Sequence, residues 1–481
     1  MKVRLAICLS LAAAVSAQSR IQHLNVSNPG EDDKLGAGDP LVGVTLAMSA
    51  DGNTLAVSAP HEDSAAVGVN GNQHDESAWD AGAAYVFVRR GHVWVQQAYI
   101  KASNTQTSDK FGFAIALSGD GNTLAVGATL EDNAARAIDG DQRSEAAQNS
   151  GAVYVFARRG TTWRQQAYIK ASNADAGDQF GWSVALNHRG TTLAVGAQSE
   201  AGAAAGINGN QDDNAAPDAG AAYVFARRGA AWSQQAYVKP LNPQANDRFG
   251  FCVALSGDGH TMGVCGYDED GGATGVDGVP DERAPGSGCA YVFTRRGSGW
   301  SQEAYVKASN TTPNAAFGSA IVLSGDGNTL AVNAADEDSL SRGIDGDQRS
   351  VPIDEGSAGA VYVFARTHRV WTQQAYVKSS NIGPFDLFGI RLALTDDGNV
   401  MAAGAPGHPG DGSMPESGAV YMFRRSGAKW SQTSYLRAPN AEAFDQFGSG
   451  VALGADGKTL AVAAGGKDMN SIRDSGALYI Y

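Results

Sequence analysis

The stretch from Phe111 to Ala128, which reads FGFAIALSGDGNTLAVGA, predicts the fold of the whole chain. Its Asp120-Gly121 pair lies between two runs of alternating apolar residues, which is the pattern of a β-hairpin with a two-residue turn. With Asp120 and Gly121 in the turn, Leu117 lies opposite Leu124, and at the next position small residues face each other. Since side chains alternate between the two faces of a strand, one face of this hairpin is bulky and the other nearly bare.

The same pattern recurs along the chain, and such internal repeats decide the architecture. A Phe-Gly dipeptide begins six copies, at Phe111, Phe180, Phe249, Phe317, Phe388 and Phe447. An earlier copy without that dipeptide is predicted to begin near Leu41. A third strand of the type Tyr-x-aromatic occurs seven times, at Tyr85, Tyr154, Tyr223, Tyr291, Tyr362, Tyr421 and Tyr479.

The last copy ends at Tyr481, before the Trp-x-Gln-x-x-Tyr strand that follows in the other copies, and Arg20 to Asn28 resembles that missing strand. The sequence therefore predicts an all-β fold, a seven-bladed β-propeller of four-stranded antiparallel blades whose ring is closed by the N-terminal strand completing the last blade. The predicted boundaries are a signal peptide at 1–17 and one propeller at 18–481. Its blades are 41–104, 111–173, 180–242, 249–310, 317–381, 388–440, and 447–481 together with 20–28.

Three elements of each unit carry a family resemblance: Phe-Gly, then Ala-Leu-Ser-Gly-Asp-Gly-Asn-Thr-Leu-Ala-Val-Gly-Ala, then Ser-Gly-Ala-Val-Tyr-Val-Phe. Together they resemble the FG-GAP repeat of integrin α-subunit propellers and their bacterial relatives. The resemblance covers nearly all of the chain after the signal peptide. It implies the propeller fold, whereas the function stays open because propellers host adhesins, lectins and enzymes.

Composition predicts an exported protein. Lys2 and Arg4 precede an apolar run from Leu5 to Val15, and small residues up to Ala17 form a cleavage site typical of a signal peptide. This run is too short to cross a bilayer, so membrane insertion is not expected. The formal net charge of -14 disfavours nucleic acid as a partner. We expect a protein that is secreted, extracellular or at the cell surface, with the periplasm as an alternative location.

Acidic loops after the second strands are candidates for calcium binding. Carboxylate oxygens in glycine-containing loops are the ligands that Ca²⁺ prefers, although Asp, Asn and Gly also dominate metal-free turns. The second and fifth copies are richest in such groups. The predicted metal ligands are Glu131, Asp132, Asp139, Asp141, Asp336, Asp338, Asp345 and Asp347.

Cysteine and tryptophan positions give further predictions. The hairpin register places Cys252 opposite Cys265, so an oxidising compartment would allow a disulfide between them, with Cys289 as an alternative partner for either. A tryptophan recurs at the start of the fourth strand, from Trp94 to Trp430, and this repetition predicts packing between blades. Trp79 lies outside that series in a long loop and is the predicted ligand contact.

Recognised catalytic motifs are absent from the sequence, which makes an enzyme the less favoured reading. The leading hypothesis is a binding or adhesion module, stabilised by calcium, that contacts an extracellular protein or glycan through its long loops and works as a monomer. The alternatives are a carbohydrate-binding lectin and a polysaccharide-degrading enzyme that uses loop carboxylates.

Overall fold

The computed structural model describes residues 21–37, 44–349, 357–410 and 412–481. Within these residues the chain forms seven four-stranded antiparallel sheets, which are the blades of a propeller. This confirms the predicted fold class. The predicted signal peptide, at 1–17, lies outside the described residues. None of the described residues belongs to a helix long and apolar enough to cross a membrane.

Each blade contributes its strands in chain order from the central channel outward. Blade 1 holds β2 (Leu46–Met48), β3 (Thr54–Ala59), β4 (Ala83–Arg90) and β5 (Val93–Ile100). Blade 2 holds β6 (Phe111–Leu117), β7 (Thr123–Ala128), β8 (Ala152–Arg159) and β9 (Thr162–Ile169). Blade 3 holds β10 (Ser183–Leu186), β11 (Thr192–Ala197), β12 (Ala221–Arg228) and β13 (Ala231–Val238). Blade 4 holds β14 (Phe249–Leu255), β15 (Thr261–Gly266), β16 (Cys289–Arg296) and β17 (Gly299–Val306).

The remaining blades follow the same order. Blade 5 holds β18 (Phe317–Leu323), β19 (Thr329–Ala334), β20 (Ala360–Thr367) and β21 (Val370–Val377). Blade 6 holds β22 (Arg391–Leu394), β23 (Val400–Ala405), β24 (Ala419–Ser426) and β25 (Lys429–Leu436). Blade 7 holds β26 (Phe447–Leu453), β27 (Leu460–Ala464) and β28 (Ala477–Ile480), and its outer strand is β1 (Gln22–Leu24).

The hairpin register predicted for blade 2 is confirmed, since Leu117 pairs with Leu124 and Ala116 with Ala125. The turn is stabilised by Asp120, whose Oδ1 accepts hydrogen bonds from the Ser118 hydroxyl and, at 2.9 Å, from the backbone N–H of Asn122. Gly121 has a φ of 67°, a left-handed conformation that favours glycine. Local turn chemistry therefore accounts for the register.

The N-terminal strand closes the ring, as predicted. β1 pairs antiparallel with β28, so that His23 lies opposite Tyr479 and Leu24 opposite Leu478. Leu24 and Leu478 are both buried in one apolar cluster with the first blade. Main-chain bonds thereby join the N-terminal strand to the last blade, and a shared core joins the last blade to the first.

The first copy, which was described from the sequence as lacking the Phe-Gly dipeptide, has an equivalent of it in the structure. In blade 2, a Cβ on Gly151 would lie 2.1 Å from the carbonyl oxygen of Phe180, the phenylalanine that begins the next unit. Gly476 approaches Leu35 in the same way, at 2.7 Å from its carbonyl oxygen. The equivalent dipeptide is therefore Leu35-Gly36, ahead of the predicted start near Leu41, a residue that lies outside the described ones.

Neighbouring blades are fastened where the third strand turns into the fourth. The indole Nε1 of Trp163 donates to Oε1 of Gln97 in the preceding blade at 3.0 Å, and Arg158 donates to the same oxygen at 3.3 Å. The Arg158 guanidinium also lies 5.4 Å from the centre of the Trp163 ring. Because Trp163 is buried, the prediction that these tryptophans pack between blades is confirmed.

The turns of the inner hairpins, at this same end of the propeller, form a closed circle around the channel. We call the residues that face each other there the rim ring: Ala50, Gly119, His188, Gly257, Gly325, Asp396 and Ala455. Backbone N–H to carbonyl bonds of 2.9 to 3.2 Å join each blade to the next, from Ala50 bonding Gly119 round to Ala455 bonding Ala50. The end of the propeller with the Asp-Gly turns, which we call the turn end, is therefore tied by main-chain bonds.

Candidate functional site

Glu131, a predicted calcium ligand, is instead half of a buried ion pair. Its Oε2 accepts from Nζ of Lys170 at 2.9 Å, and its Oε1 accepts from the hydroxyl of Tyr168 at 2.7 Å and from Nδ2 of Asn104 at 3.0 Å. Lys170 and Glu131 are almost fully buried. Burial lowers the pKa of Lys170, and the Glu131 carboxylate opposes that shift.

This pair recurs with N–O distances of 2.6 to 2.9 Å in the first five blades. The members are Glu62–Lys101, Glu131–Lys170, Glu200–Lys239, Glu269–Lys307 and Glu337–Lys378. A signal for it was present in the sequence, because each lysine follows the fourth-strand tyrosine by two residues. Sequence reasoning assigned the glutamates to loops and missed their partners.

The predicted aspartate ligands of the second blade also have protein partners. Asp132 accepts from the backbone N–H of Asn149 at 2.7 Å, and Asp139 accepts from that of Tyr168 at 2.9 Å. Asp141 forms an exposed ion pair with Arg143. The Asp139 bond holds the long loop against the outer strand, and the other two contacts lie within the loop itself, so the roles are structural.

The fifth blade repeats the arrangement. Asp345 accepts from the backbone N–H of Tyr376 at 2.9 Å, and Asp347 pairs with Arg349. Burial raises the pKa of Asp336, and the nearby charge of Asp338 raises it further. As in the second blade, Asp345 and Asp347 are thus held by a backbone donor and an arginine, and Asp336 has a hydrogen bond with Ser357.

Among the described residues, no three or more His, Cys, Asp and Glu side chains are grouped so that they could hold a metal ion. A calcium ion at the second blade would have to displace Lys170 from Glu131 or Arg143 from Asp141. The residues present therefore do not fit the predicted site, and calcium binding stays a prediction without structural support.

The disulfide predicted between Cys252 and Cys265 is not present in this structure, where both residues and Cys289 are free thiols. The regular ladder of the hairpin ends at Val253, and a bulge follows before Phe249. The Sγ of Cys252 lies 3.3 Å from the carbonyl oxygen of Ser319 in the next blade. Burial raises the pKa of Cys252 to about 12, so the thiol stays protonated.

Trp79, the predicted ligand contact, is 65% exposed in the long loop of the first blade. The Nζ atom of Lys110 lies 6.0 Å from the centre of its ring. Lys110 and His61 both pair with the buried carboxylate of Asp80, at 2.9 and 2.8 Å. Trp79 is therefore accessible, at the junction of blades 1 and 2, but it stands apart from other aromatic rings.

Four aromatic side chains lie together at another place in the propeller. We call this group, formed by Phe113, Trp182, Phe251 and Tyr267, the aromatic shelf. The first three follow the Phe-Gly position in blades 2, 3 and 4, so that they lie side by side where the inner strands begin. Ring centres are 4.7 Å apart between Phe113 and Trp182 and 5.7 Å between Trp182 and Phe251. Tyr267 stacks on Phe251 at 4.3 Å.

The shelf borders the mouth of the central channel at the end that carries the long loops, the loop end. A cavity of about 60 Å³ in the channel is lined by Phe251, Ser183, Cys252, Ile390 and Arg391. A larger cavity of about 270 Å³ opens between blades 6 and 7 and shares Ile390 and Arg391 with the first. Phe385, which is 62% exposed, lines this second cavity.

Shelf and cavity face each other across the channel, since the shelf spans blades 2 to 4 and the cavity lies between blades 6 and 7. Concave, largely apolar surfaces with a few polar groups are typical of ligand sites. The Phe-Gly-aromatic triplets were visible in the sequence, whereas the later blades carry Ser319, Ile390 and Ser449 at that position. Sequence reasoning selected the isolated Trp79 and missed the shelf.

Comparison with known proteins identifies the repeat. Residues 94–156, 163–225 and 430–481 match the family model described as FG-GAP repeat. Each match begins in a fourth strand and ends in or directly after the third strand of the following blade. No curated protein matches the chain significantly in sequence.

Solved structures similar to this chain share its architecture at low identity. A chain of the mitotic checkpoint complex is 13% identical with a TM-score of 0.50, over 100% of this chain and 99% of that one. The β-propeller domain of Myceliophteria thermophila Cps50 (Swd1) is 10% identical with a TM-score of 0.51, over 96% and 98%. At such identities the likeness concerns the fold alone.

Proposed function

Since this chain consists of FG-GAP repeats in a seven-bladed β-propeller, we propose that it is a secreted or cell-surface binding module whose ligand contacts the loop end of the central channel. The observation that supports this proposal is the aromatic shelf. Three aromatic side chains lie in register on consecutive blades, and two of them, Phe113 and Trp182, are partly exposed while Phe251 is buried behind Trp182.

The fold itself shows that the shelf is dispensable for packing. At the Trp182 position, blades 5 and 7 carry Ser319 and Ser449, and their sheets have the same four-stranded arrangement. A large aromatic side chain retained at a channel mouth is suited to stacking against a flat apolar face of a ligand, such as the C–H face of a sugar ring. A glycan is therefore the first ligand to test, and an extracellular protein the second.

The opposite side of the mouth extends this surface. Phe385 and Phe444 occupy equivalent positions in the loops that lead into blades 6 and 7, and both are more than half exposed. Exposed large apolar side chains grouped beside a cavity mark interaction sites more often than scattered ones do. A ligand that bridges the channel mouth would contact Phe385 and the shelf together.

The proposal is tested by screening the protein on a glycan array and measuring the affinity of each positive glycan by calorimetry. Trp182→Ser places in blade 3 the residue found in blades 5 and 7, so we expect it to fold and to bind about tenfold more weakly, which corresponds to about 1.4 kcal/mol. Trp79→Ser removes the other exposed tryptophan of the loop end and is the matched control. Equal affinity of Trp182→Ser and the wild type would contradict the proposed site.

A reducing-sugar assay on the same glycans separates binding from catalysis. Glu131 and Glu337 are committed to buried lysines, so we expect the glycans to be bound and not cleaved. Cleavage without measurable equilibrium binding would favour the polysaccharide-degrading alternative instead. Should an extracellular protein be the ligand, the array would be negative and the Trp182→Ser comparison would be repeated with that protein.

A further inference from the structure

The rim ring at the turn end carries two side chains that meet across the channel. Five of its seven positions hold glycine or alanine, and the other two hold His188 in blade 3 and Asp396 in blade 6. The Nε2 atom of His188 lies 3.1 Å from Oδ1 of Asp396. Because blades 4 and 5 lie between these residues on the shorter way round the ring, this ion pair spans the mouth of the channel.

The neighbouring glycines leave the space that the pair occupies. A Cβ on Gly119 would lie 2.8 Å from Cγ of His188, and a Cβ on Gly257 would lie 2.7 Å from Cε1 of the same ring. A Cβ on Gly325 would lie 2.6 Å from Cγ of Asp396. A side chain at any of these glycines would force His188 or Asp396 to move, so the two side chains fill the space above their neighbours' backbones.

The pair separates two cavities. On the inner side, a cavity of about 180 Å³ is lined by one leucine or methionine from each blade, among them Leu186, Leu255 and Leu394. On the outer side, an open bowl of about 830 Å³ is lined by polar residues such as Arg189 and Asp258. His188, Asp396 and the glycines Gly257 and Gly325 line both cavities.

We propose that the His188–Asp396 pair is a pH-sensitive latch that closes the turn end of the central channel when His188 is protonated and releases it when His188 is neutral. The latch lies at the end opposite to the aromatic shelf and needs no ligand, so it does not depend on the proposed function. Protonated His188 and Asp396 attract each other as opposite charges at hydrogen-bond distance, and deprotonation of His188 removes this attraction.

The surroundings of His188 favour its protonated form. The hydrogen bond to Asp396 raises the pKa of His188, partial burial opposes the shift, and the charges of Asp396 and Asp258 add to it. The other ionisable groups lining the outer bowl are Arg189, His260, Asp326 and Asp397, and His260 is itself paired with Asp258 at 3.2 Å. The latch is therefore closed below the ordinary histidine pKa of about 6.5 and opens as the pH rises above it.

The latch is tested by measuring how easily a solute reaches the leucine side chains that line the inner cavity. With the leucine methyl groups isotopically labelled, a neutral nitroxide added to the solution broadens the NMR signals of the methyls it can approach. We expect Leu186 and Leu394 of the wild type to broaden at least twofold more at about pH 8.5 than at about pH 5.5, on either side of the histidine pKa. His188→Ala should broaden strongly at both pH values.

Folding is not at risk in this variant, because Ala50 and Ala455 show that the rim ring accepts alanine. His260→Ala, on the same face, is the matched control and should keep the pH dependence of the wild type. In Asp396→Asn, the pKa of His188, read from its imidazole signals, should fall. Equal broadening of the wild type at both pH values, or an unchanged His188 pKa in Asp396→Asn, would overturn the proposal.

Discussion

Asn28, just beyond the N-terminal strand, accepts a hydrogen bond from the Tyr85 hydroxyl at 2.9 Å and donates one to Oε1 of Glu62 at 2.9 Å. Asn104 makes the same two bonds in the next blade, to Tyr154 and Glu131. The N-terminal segment thus supplies both the outer strand of blade 7 and the polar group on which the buried ion pair of blade 1 depends.

Substitution of Asn28 therefore tests the closure of the ring. Asn28→Ala leaves the Tyr85 hydroxyl and Glu62 each without one partner, and an unsatisfied buried polar group costs about 1–3 kcal/mol. We expect the free energy of unfolding in urea to fall by that amount. Asn72→Ala, in an exposed loop, is the control and should change it by less than about 0.5 kcal/mol. Equal stability of the two variants would contradict the role of Asn28.

The buried ion pair of blade 2 makes a second prediction. Lys170→Met leaves the Glu131 carboxylate buried without its cation, which should cost about 3–5 kcal/mol. The double variant Glu131→Gln with Lys170→Met removes both charges and should recover a large part of that loss. Urea unfolding of the wild type, both single variants and the double variant measures the coupling. Additive losses would mean that the two side chains do not stabilise each other.

The buried carboxyl group of Asp109 predicts that the stability of the protein depends on pH. Burial raises its pKa to about 8, and the charge of Glu131 adds to the shift. Between about pH 4 and about pH 8 the folded state therefore holds a proton that the unfolded state has released, so the stability falls as the pH rises through this window.

Asp109→Asn keeps an oxygen that can accept from the backbone N–H of Gln106, the bond that Asp109 makes at 3.0 Å, and removes the proton exchange. We expect the decline of unfolding free energy over this window to be shallower in the variant, by up to about 1.4 kcal/mol per pH unit. The fold accepts a neutral residue there, because blade 5 carries Ala315 at the equivalent position. Parallel pH profiles of the variant and the wild type would be evidence against a protonated Asp109.

Calcium dependence is decided by melting the protein with millimolar calcium and with excess chelator. Ligands that bind only the folded state raise the melting temperature. Because the predicted ligands already pair with Lys170, Arg143 and backbone donors, we expect equal melting temperatures. A rise in calcium that is lost in Asp141→Asn would restore the calcium site predicted from the sequence.

Much of the fold was predictable because its determinants are local. The Asp120-Gly121 turn sets the register of Leu117 against Leu124, and the repeated third strands give the number of blades. The Leu35-Gly36 dipeptide could not be recognised in the sequence, because leucine stands where the other copies have phenylalanine. It is identified by its close contact with Gly476, which lies near the other end of the chain. The candidate site was harder to predict from the sequence. Trp79 and Trp182 are both tryptophans outside the repeated fourth-strand series, and only the folded structure shows that Trp182 lies beside Phe113 and Phe251.

The repeat, the hairpin register and the use of the N-terminal strand in the last blade follow from the order of amino acids alone, because alternation and turn chemistry act over a few residues. The contacts of Glu131 with Lys170 and of His188 with Asp396 across the channel become visible in the folded ring. Those contacts depend on which residues a closed ring of seven blades brings face to face. Carboxylates that look like metal ligands in the sequence accept instead from lysine, arginine or backbone donors in the folded ring, because a buried carboxylate needs a partner within reach.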